Sequence, residues 1–195
     1  MLKLDAPGGA REILLHACCA PCSGAVLECL RDNGIRPVVF FSNSNIAPRE
    51  EYGLRLAELR RYAACMGVEL AEDEYDHAAW LDAVRGLEGE PERGRRCESC
   101  FRFRLERAAR YAAARGLPVV ATTLASSRWK DLAQVAAAGE AACRQSAGPA
   151  GTAPVFWPQN WRKGGLQPRR GEIIREQGFY NQNWCGCEFS RNPKP

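Results

Sequence analysis

Short apolar runs alternate with longer amphipathic segments along this chain, and this alternation constrains the fold more than any other feature. The apolar runs have the length and composition of strands, and the segments between them carry apolar residues at helical spacing. The runs that we interpret as strands are EILLHA (12–17), RPVVFFSN (36–43), VELAEDEY (68–75), LPVVATTLA (117–125) and VFWPQNW (155–161). Because strand–helix alternation implies βαβ crossovers, we expect an α/β fold with a mostly parallel sheet and helices on both faces.

Polar and cysteine side chains follow several of the predicted strands at their carboxyl ends. The predicted helices cover 22–33, 48–67, 76–87, 97–116, 130–148 and a last segment from about 169. In open parallel sheets, ligands bind outside the carboxyl ends of the strands. The active face is therefore expected at the edge that carries Cys18, Cys19, Cys22, Asn43, Asn45, Thr122 and Thr123.

Ten cysteines in 195 residues are unusual for a protein of this class. The N-terminal MLKLDAPGGAREI has no signal-peptide core, and no apolar run reaches membrane-spanning length. We therefore expect a cytoplasmic protein with no membrane partner. Disulfide frameworks are rare in that compartment, so the cysteines indicate metal or redox chemistry.

Seven of the cysteines fall into three groups, in the motifs CCAPC, CESC and CGC. The remaining Cys29, Cys65 and Cys143 lie inside apolar helical patterns and are expected to be small buried hydrophobic residues. Thiolates repel one another unless a cation holds them, so convergence of the groups is expected only around metal. The grouped cysteines are Cys18, Cys19, Cys22, Cys97, Cys100, Cys185 and Cys187.

The number and spacing of these thiols favour an iron–sulfur centre over zinc. A structural zinc site takes four ligands, usually from two paired knuckles, and adjacent cysteines and a CGC are poor knuckles. A four-iron cluster uses four thiolates and leaves three for a second metal or a redox pair. Two zinc sites remain arithmetically possible if His16 is added.

Only two histidines are present, His16 and His77. A lone histidine on an apolar strand is more often a hydrogen-bonded core residue than a metal ligand, and we interpret both in this way. This scarcity makes a histidine-rich zinc hydrolase and a histidine-based triad poor explanations for the chain.

The net charge of +4 is modest, but its distribution favours an anionic partner. The segment RGRRCESCFRFR (93–104) holds five arginines against one glutamate. The segment RKGGLQPRR (162–170) holds four positive charges and no acid. Both basic segments lie close to cysteine groups or between them in sequence.

Six motifs, taken in order, resemble the epoxyqueuosine reductases of the QueH type. They are HACCAPCS, FSNSNIAPREEY, GEPERGRRCESCFRFRLERAA, ATTLASSRWKD, WRKGGL and FYNQNWCGCEFS, and they span about 13–190. Two departures are visible. This chain has Phe41-Ser42-Asn43-Ser44-Asn45 where the family has Tyr-Asn-Pro-Asn, and Ser127-Arg128-Trp129-Lys130 where the family has Ser-Pro-Tyr-Lys.

The resemblance implies a cobalamin-independent enzyme that reduces epoxyqueuosine to queuosine at the wobble position of tRNA. It implies a fold of the adenine-nucleotide α-hydrolase type, a [4Fe-4S] cluster and an additional iron ion, both held by the seven grouped cysteines. In one division of the ligands, the cluster takes Cys18, Cys97, Cys100 and Cys185. The chain is then expected to form one domain over 1–195, with a metal-binding C-terminal segment at about 157–190.

The expected partners are the anticodon stem-loop of tRNA and an unidentified electron donor. Candidate proton donors, by their positions in the motifs, are Tyr180, Lys163 and Lys130. Phosphate contacts are expected from Arg93, Arg95, Arg96, Arg102, Arg104, Arg162, Lys163, Arg169 and Arg170. Base stacking is expected from Trp157, Trp161, Phe179, Tyr180 and Trp184.

Three alternatives remain open at this level. A tRNA-thiolating or ATP-pyrophosphatase enzyme would need a Gly/Ser-rich phosphate loop, and CCAPCSG holds one glycine. A zinc-stabilised RNA-binding module would lack catalysis. A thiol–disulfide reductase would explain CESC but only two of the seven grouped thiols.

Overall fold

The computed structural model describes residues 2–147 and 151–190. Within these ranges the strands form one five-stranded parallel sheet in the order β3-β2-β1-β4-β5. The strands are β1 (Glu12–His16), β2 (Arg36–Phe41), β3 (Leu70–Glu72), β4 (Val119–Thr122) and β5 (Val155–Phe156). The α/β class and the parallel sheet are therefore confirmed, and the strand order is that of a doubly wound fold.

Six α-helices connect or follow the strands in the described residues. They are α1 (Ala20–Asp32), α2 (Arg49–Met66), α3 (His77–Ala83), α4 (Arg95–Ala114), α5 (Leu132–Arg144) and α6 (Leu166–Gln177). Three of them begin earlier than predicted: α1 starts at Ala20 because Pro21 suits the first turn, α4 starts two residues before Cys97, and α6 starts at Leu166. Cys22 and Cys97 thus lie in the first turns of α1 and α4.

Both faces of the sheet are buried, as expected for a parallel sheet. Ile13 and Leu15 of β1 point to one face, where they pack with residues of α1, α2 and α6. Leu14 of the same strand points to the other face, which α4 and α5 cover. The alternation follows from the two-residue period of a strand.

The register brings the carboxyl ends of the three central strands together. His16, the last residue of β1, pairs with Phe40 of β2 and with Thr122 of β4. The segments that follow these strands, which begin at Ala17, Ser42 and Thr123, therefore meet at one edge of the sheet. This edge is where the candidate site lies.

In the part of the chain that the structure covers, we find no helix with both the length and the apolar character needed to span a bilayer.

Candidate metal centre

The first cysteine group sits where β1 passes into α1. Cys19 has an extended backbone (φ −177°, ψ 164°) and is the N-cap of α1, and its side chain caps none of the amides. The Sγ atoms of Cys18, Cys19 and Cys22 all lie within 4.8 Å of one another, and those of Cys18 and Cys19 are 3.8 Å apart. The positive end of the helix dipole therefore faces three closely spaced sulfur atoms, a setting that favours thiolate.

Residues from the neighbouring strands hold this turn in place. The side-chain amide of Asn43 donates to the carbonyl of Ala17 at 2.9 Å. The backbone N–H of Cys18 donates to Thr123 Oγ1 at 3.1 Å, and the Thr123 hydroxyl donates to Cys18 Sγ at 3.4 Å. The polar residues predicted at the carboxyl ends of β2 and β4 thus fix the position of the first thiols.

The second group lies in the first two turns of α4. Cys97 and Cys100 are three residues apart, so both project from one side of the helix. The backbone N–H of Arg93 donates to Cys97 Sγ at 3.3 Å. Cys100 is buried and packs in a cluster with Trp80, Cys187 and Val84.

The third group lies in a C-terminal loop that needs its central glycine. Gly186 has φ 98°, and a Cβ at this position would lie 2.9 Å from Ile46 Cγ1. The Gly186 carbonyl accepts from the backbone N–H of Ala47 at 3.0 Å. This close approach docks the loop against the segment after β2 and directs Cys185 and Cys187 inward.

A buried ion pair also fixes this loop. Arg55 Nη2 lies 2.6 Å from Glu51 Oε1, and both side chains are almost fully buried. Arg55 Nη1 donates to the carbonyl of Cys185 at 3.2 Å, and Arg55 Nη2 donates to that of Trp184 at 3.5 Å. No sequence pattern predicts this role, since Arg55 is one of several charged residues on an amphipathic helix.

All seven grouped cysteines line one cavity with a volume of about 510 Å³. The cavity opens at the carboxyl edge of the sheet, where the three groups meet. The isolated cysteines do not line it: Cys29 and Cys143 are buried as expected, whereas Cys65 is exposed. The expectation for Cys65 was wrong because the buried stripe of α2 runs through Tyr62 and Ala63 and leaves Cys65 facing water.

The thiols share protons unequally within two of the groups. Hydrogen bonds from Cys19 and Cys22 hold the pKa of Cys18 well below its usual range, and the same contact with Cys18 raises the pKa of Cys19. A hydrogen bond from Cys187 likewise lowers the pKa of Cys185. Each of these groups therefore holds a stabilised thiolate, which is the form that binds metal.

Of the three candidate proton donors, Lys130 is the one that lines the cavity among the described residues. Burial alone lowers the pKa of Lys130, but negative charge on Cys185 and Cys18 raises it above its ordinary value. Tyr180 is 45% exposed and its hydroxyl donates to Glu51 Oε2 at 3.1 Å, away from the cavity wall. Lys163 is exposed. Proton donation by Tyr180 or Lys163 stays a prediction.

Phosphate contacts cannot come from two arginines of the first basic segment, so that expectation is wrong for Arg96 and Arg104. Both side chains are buried, at 2% and 3% exposure. Arg96 donates to the carbonyls of Leu87, Glu88 and Glu90, and Arg104 donates to the carbonyl of Ser42 and to Asn43 Oδ1. They satisfy loop carbonyls that would otherwise be buried without a donor.

Arg169 of the second basic segment is also committed elsewhere. Its guanidinium pairs with Glu28 at 2.7 Å, with Glu172 at 3.0 Å and with Glu176 at 2.8 Å. In contrast, Arg93 and Arg170 line the cavity. Arg95 and Arg102 are exposed on α4. Fewer basic residues than predicted are therefore available for phosphate contacts near the cavity.

The structure also changes the set of aromatic residues that could stack on a base. Trp157, Trp161 and Phe179 are buried in the core and cannot stack on a base, so the expectation is wrong for these three. Trp161 Nε1 donates to the Thr122 carbonyl at 3.1 Å, which ties the C-terminal segment to β4. Trp184 is half-buried in the cavity wall, and Trp129, which was not on the predicted list, is 47% exposed there.

Both histidines are hydrogen-bonded structural residues, as predicted. His16 is fully buried, with Nδ1 2.8 Å from Thr122 Oγ1 and Nε2 3.1 Å from the Ser42 carbonyl, and burial lowers its pKa to about 3. His77 lies 2.7 Å from the Ser44 carbonyl and 2.9 Å from Glu188 Oε1. Neither imidazole lines the cavity.

Comparison with known proteins agrees with this geometry. A family model described as "Epoxyqueuosine reductase QueH" matches residues 13–193. A protein of that name from Histophilus somni is 43% identical over 188 residues, covering 96% of this chain and 75% of its own length. Relatives of the same name from Haemophilus influenzae and Acinetobacter baylyi are 42% and 41% identical, covering 96% and 97% of this chain and 75% and 84% of their own lengths. The chain belongs to the epoxyqueuosine reductase QueH family.

Proposed function

We propose that this chain is an oxidoreductase that reduces epoxyqueuosine in tRNA to queuosine. The observation that carries the proposal is the meeting of seven cysteines from three distant segments in one cavity. The cavity opens at the carboxyl edge of a parallel sheet, where ligands of such folds bind. Membership of the family identifies the proposed reaction, and the cysteine-lined cavity is its proposed location.

The donor set fits an iron–sulfur centre with a further iron. Thiolates are the ligands that iron–sulfur clusters take, and the first two cysteine groups lie at or near helix N-termini, without a competing imidazole in the wall. A [4Fe-4S] cluster would take four thiols, and three would remain for the additional iron. In the division we favour, the cluster ligands are Cys18, Cys97, Cys100 and Cys185, and the ligands of the iron are Cys19, Cys22 and Cys187.

The reaction converts an epoxide into an alkene and water, and it consumes two electrons and two protons. When bound, the metals supply single-electron transfer and Lewis acidity. The chain itself positions and protonates the substrate. Lys130 carries its ammonium in the cavity wall, where it can donate a proton from Nζ to the departing oxygen. Trp80 and Phe101 add apolar surface to the wall, which limits water beside the reacting carbon.

We expect an external partner to deliver the two electrons, because the reaction consumes them at every turnover and the protein must return to its starting state. All ten cysteines are free thiols. A thiol–disulfide reductase would use the CESC pair alone, whereas here that pair shares its cavity with five other thiols. This arrangement favours metal chemistry over dithiol exchange.

The second hypothesis is an ATP-using enzyme with the same type of sheet, and the turn after β1 argues against it. Three cysteine side chains occupy the N-terminus of α1, where such enzymes place a phosphate. The third hypothesis is a zinc-stabilised RNA-binding module. Its protein would be colourless after anaerobic purification and would contain zinc.

The test is anaerobic iron and sulfide analysis with EPR, combined with turnover of tRNA that contains epoxyqueuosine. We expect iron and sulfide in the purified protein and queuosine as the product. Replacing Cys19 or Cys187 with Ala should abolish turnover, because each removes a thiol from the cavity. Cys65→Ala is the matched control, since Cys65 is exposed and outside the cavity.

Normal turnover by Cys19→Ala or Cys187→Ala would refute the two-metal assignment. Zinc in place of iron, with no reduction of the RNA, would favour the RNA-binding module. ATP hydrolysis or adenylation by the wild-type chain would favour the hypothesis of an ATP-using enzyme.

A further inference from the structure

Four consecutive residues at the mouth of the cavity, Ser127–Arg128–Trp129–Lys130, form a short segment that we call the SRWK lip. It follows the turn after β4, and all four residues line the cavity. Its role is not explained by the metal ligands or by the proton donor alone. Two arginines bind the backbone of the lip, and the side chains of Arg128 and Trp129 are exposed.

Guanidinium groups bind every backbone carbonyl of the lip. Arg93 Nε donates to the Trp129 carbonyl at 3.0 Å, and Arg93 Nη2 donates to the Arg128 carbonyl at 3.1 Å. Arg162 Nη2 donates to the carbonyls of Ser127 and Lys130, the latter at 2.6 Å. Charge-assisted bonds to consecutive carbonyls fix a short loop more firmly than neutral ones would.

Arg93 links the lip to the second cysteine group. Its backbone is in the left-handed region (φ 68°), which is unfavourable for a residue with a Cβ. In this conformation its N–H reaches Cys97 Sγ while its side chain reaches the lip. Backbone strain of this kind persists where the surrounding contacts require it, commonly at functional sites.

The lip presents an aromatic ring and a cation outward. Trp129 is 47% exposed, a large fraction for a tryptophan at a cavity mouth. The Arg128 guanidinium carbon lies 4.8 Å from the centroid of the Trp129 ring. An exposed indole beside a guanidinium is the combination that binds single-stranded nucleic acid, because the ring stacks on a base and the cation meets a phosphate.

The charges around the opening agree with this partner. Among the described residues of the lining, Glu92 is the one carboxylate. The cations of the lining are Arg55, Arg93, Arg96, Arg104, Arg128, Lys130 and Arg170. Arg93, Arg128 and Arg170 are the arginines of this set that are not buried, so a polyanion that approaches the mouth would meet positive charge, which speeds association.

We propose that the SRWK lip is a stacking platform for a nucleobase that flanks the modified nucleoside. The proposal rests on the proposed function, since it takes an anticodon loop as the substrate. When a modified nucleoside enters the cavity, the neighbouring nucleotides of the strand must lie at the mouth. Trp129 stacks on one of these bases, and Arg128 contacts the adjoining phosphate.

The experiment measures binding and turnover of an anticodon stem-loop RNA that carries epoxyqueuosine, with the metal-loaded protein. Trp129→Ala is expected to raise both Kd and KM by roughly 5- to 150-fold, the range for loss of one stacked base, with kcat nearly unchanged. Trp129→Phe retains an aromatic face and should restore most of the affinity. Iron content should match the wild type in both variants.

A second RNA makes the test specific for stacking. Stem-loops that lack the base on the 5′ or the 3′ side of the modified nucleoside are compared with the intact RNA. One of these abasic RNAs should bind the wild type weakly and lose no further affinity with Trp129→Ala, because both changes remove the same contact. Leu54→Ala is the control, since Leu54 is 60% exposed on α2 and outside the cavity.

Additive losses for the variant and both abasic RNAs would overturn the stacking proposal. Unchanged RNA affinity with a rate that falls only at low concentrations of the electron donor would also overturn it and indicate a protein-docking lip instead. In both cases the wild type still reduces the RNA, so the proposed function stands. A wild type that is loaded with iron but reduces no RNA overturns the proposed function and the lip proposal with it.

Discussion

Gly186 gives the sharpest test of how the loop that carries Cys185 and Cys187 is built. Its backbone φ of 98° lies in the range that residues with a Cβ rarely adopt. A Cβ added there would lie 2.9 Å from Ile46 Cγ1 and 3.2 Å from Arg55 Nη1. Replacing Gly186 with Ala therefore perturbs the loop in two ways, through the backbone conformation and through packing.

The two costs can be estimated separately. A left-handed conformation costs a residue with a Cβ roughly 1–2 kcal/mol relative to glycine. Inserting a methyl group into a filled space costs a further 1–3 kcal/mol, roughly. Gly186→Ala should therefore lower the free energy of unfolding by about 2–5 kcal/mol. Because Ile46 and the Arg55–Glu51 pair hold the loop, the strain falls on the segment that carries Cys185 and Cys187.

The assay is urea unfolding under anaerobic conditions together with iron content after reconstitution. Gly178→Ala is the matched control, because Gly178 also has a positive φ (61°) but a Cβ there would meet nothing within 4 Å. The control should lose only the conformational part, roughly 1–2 kcal/mol, and should keep its iron. If Gly186→Ala lost no more stability than Gly178→Ala and bound iron fully, the close packing of the loop would not matter and the reasoning would fail.

Three further predictions concern residues around the site, each measured by the free energy of unfolding in urea. Arg96→Ala should lose about 2–4 kcal/mol, because buried loop carbonyls lose their donor, whereas Arg95→Ala on the exposed side should change it by less than about 0.5 kcal/mol; equal effects would contradict the buried role. Glu51→Gln should cost about 3–5 kcal/mol by leaving Arg55 buried without its counter-charge, and a loss below about 1 kcal/mol would count against that pair. Burial raises the pKa of the Tyr62 hydroxyl to about 12, whereas its pKa in the unfolded chain is about 10. The contribution of the neutral hydroxyl to the free energy of unfolding is therefore complete below a pH of about 10. It is lost as the pH rises toward 12, by up to about 1.4 kcal/mol per pH unit. Tyr62→Phe should remove this part of the alkaline decline, and an unchanged slope would show that Tyr62 does not cause it.

The sheet and the positions of the first two cysteine groups were accessible from the sequence because both depend on short-range patterns, whereas the CGC pair was brought to them only by the chemistry of thiolates and the family resemblance. Alternating apolar runs specify a parallel sheet, and a parallel sheet places its carboxyl ends at one edge. The first cysteine group follows β1 directly, so its position needed no knowledge of distant contacts. The CESC pair was also predictable, since it opens a helix.

The roles of the arginines and tryptophans were not accessible in the same way. Arg96 and Arg104 read as solvated charges, and their burial depends on unpaired carbonyls in loops far away in sequence. Trp161 reads as a base-stacking residue, but the Thr122 carbonyl accepts its N–H inside the core. Such pairings are set by the three-dimensional approach of segments, and no local pattern encodes which carbonyl will lack a donor.

The turn after β1 shows how one electrostatic device can serve different chemistry. The N-terminus of a helix attracts negative charge because its first amides lack partners within the helix. In nucleotide-binding α/β proteins that position usually holds a phosphate on a glycine-rich loop. Here Cys19 caps α1 without a side-chain bond to its amides, and the Sγ atoms of Cys18 and Cys22 lie within 4.8 Å of its own.

The same field that would bind a phosphate therefore stabilises thiolate sulfur in this chain. CCAPC in place of a glycine-rich loop leaves less room for an anionic ligand and supplies thiols, of which Cys18 has a lowered pKa. Because these sulfur atoms belong to the chain, we expect the helix dipole to act on the proposed metal ligands and the substrate to be held elsewhere on the cavity wall. The exposed Arg128 and Trp129 side chains at the opening agree with this proposed division between a metal-binding turn and a substrate-binding mouth.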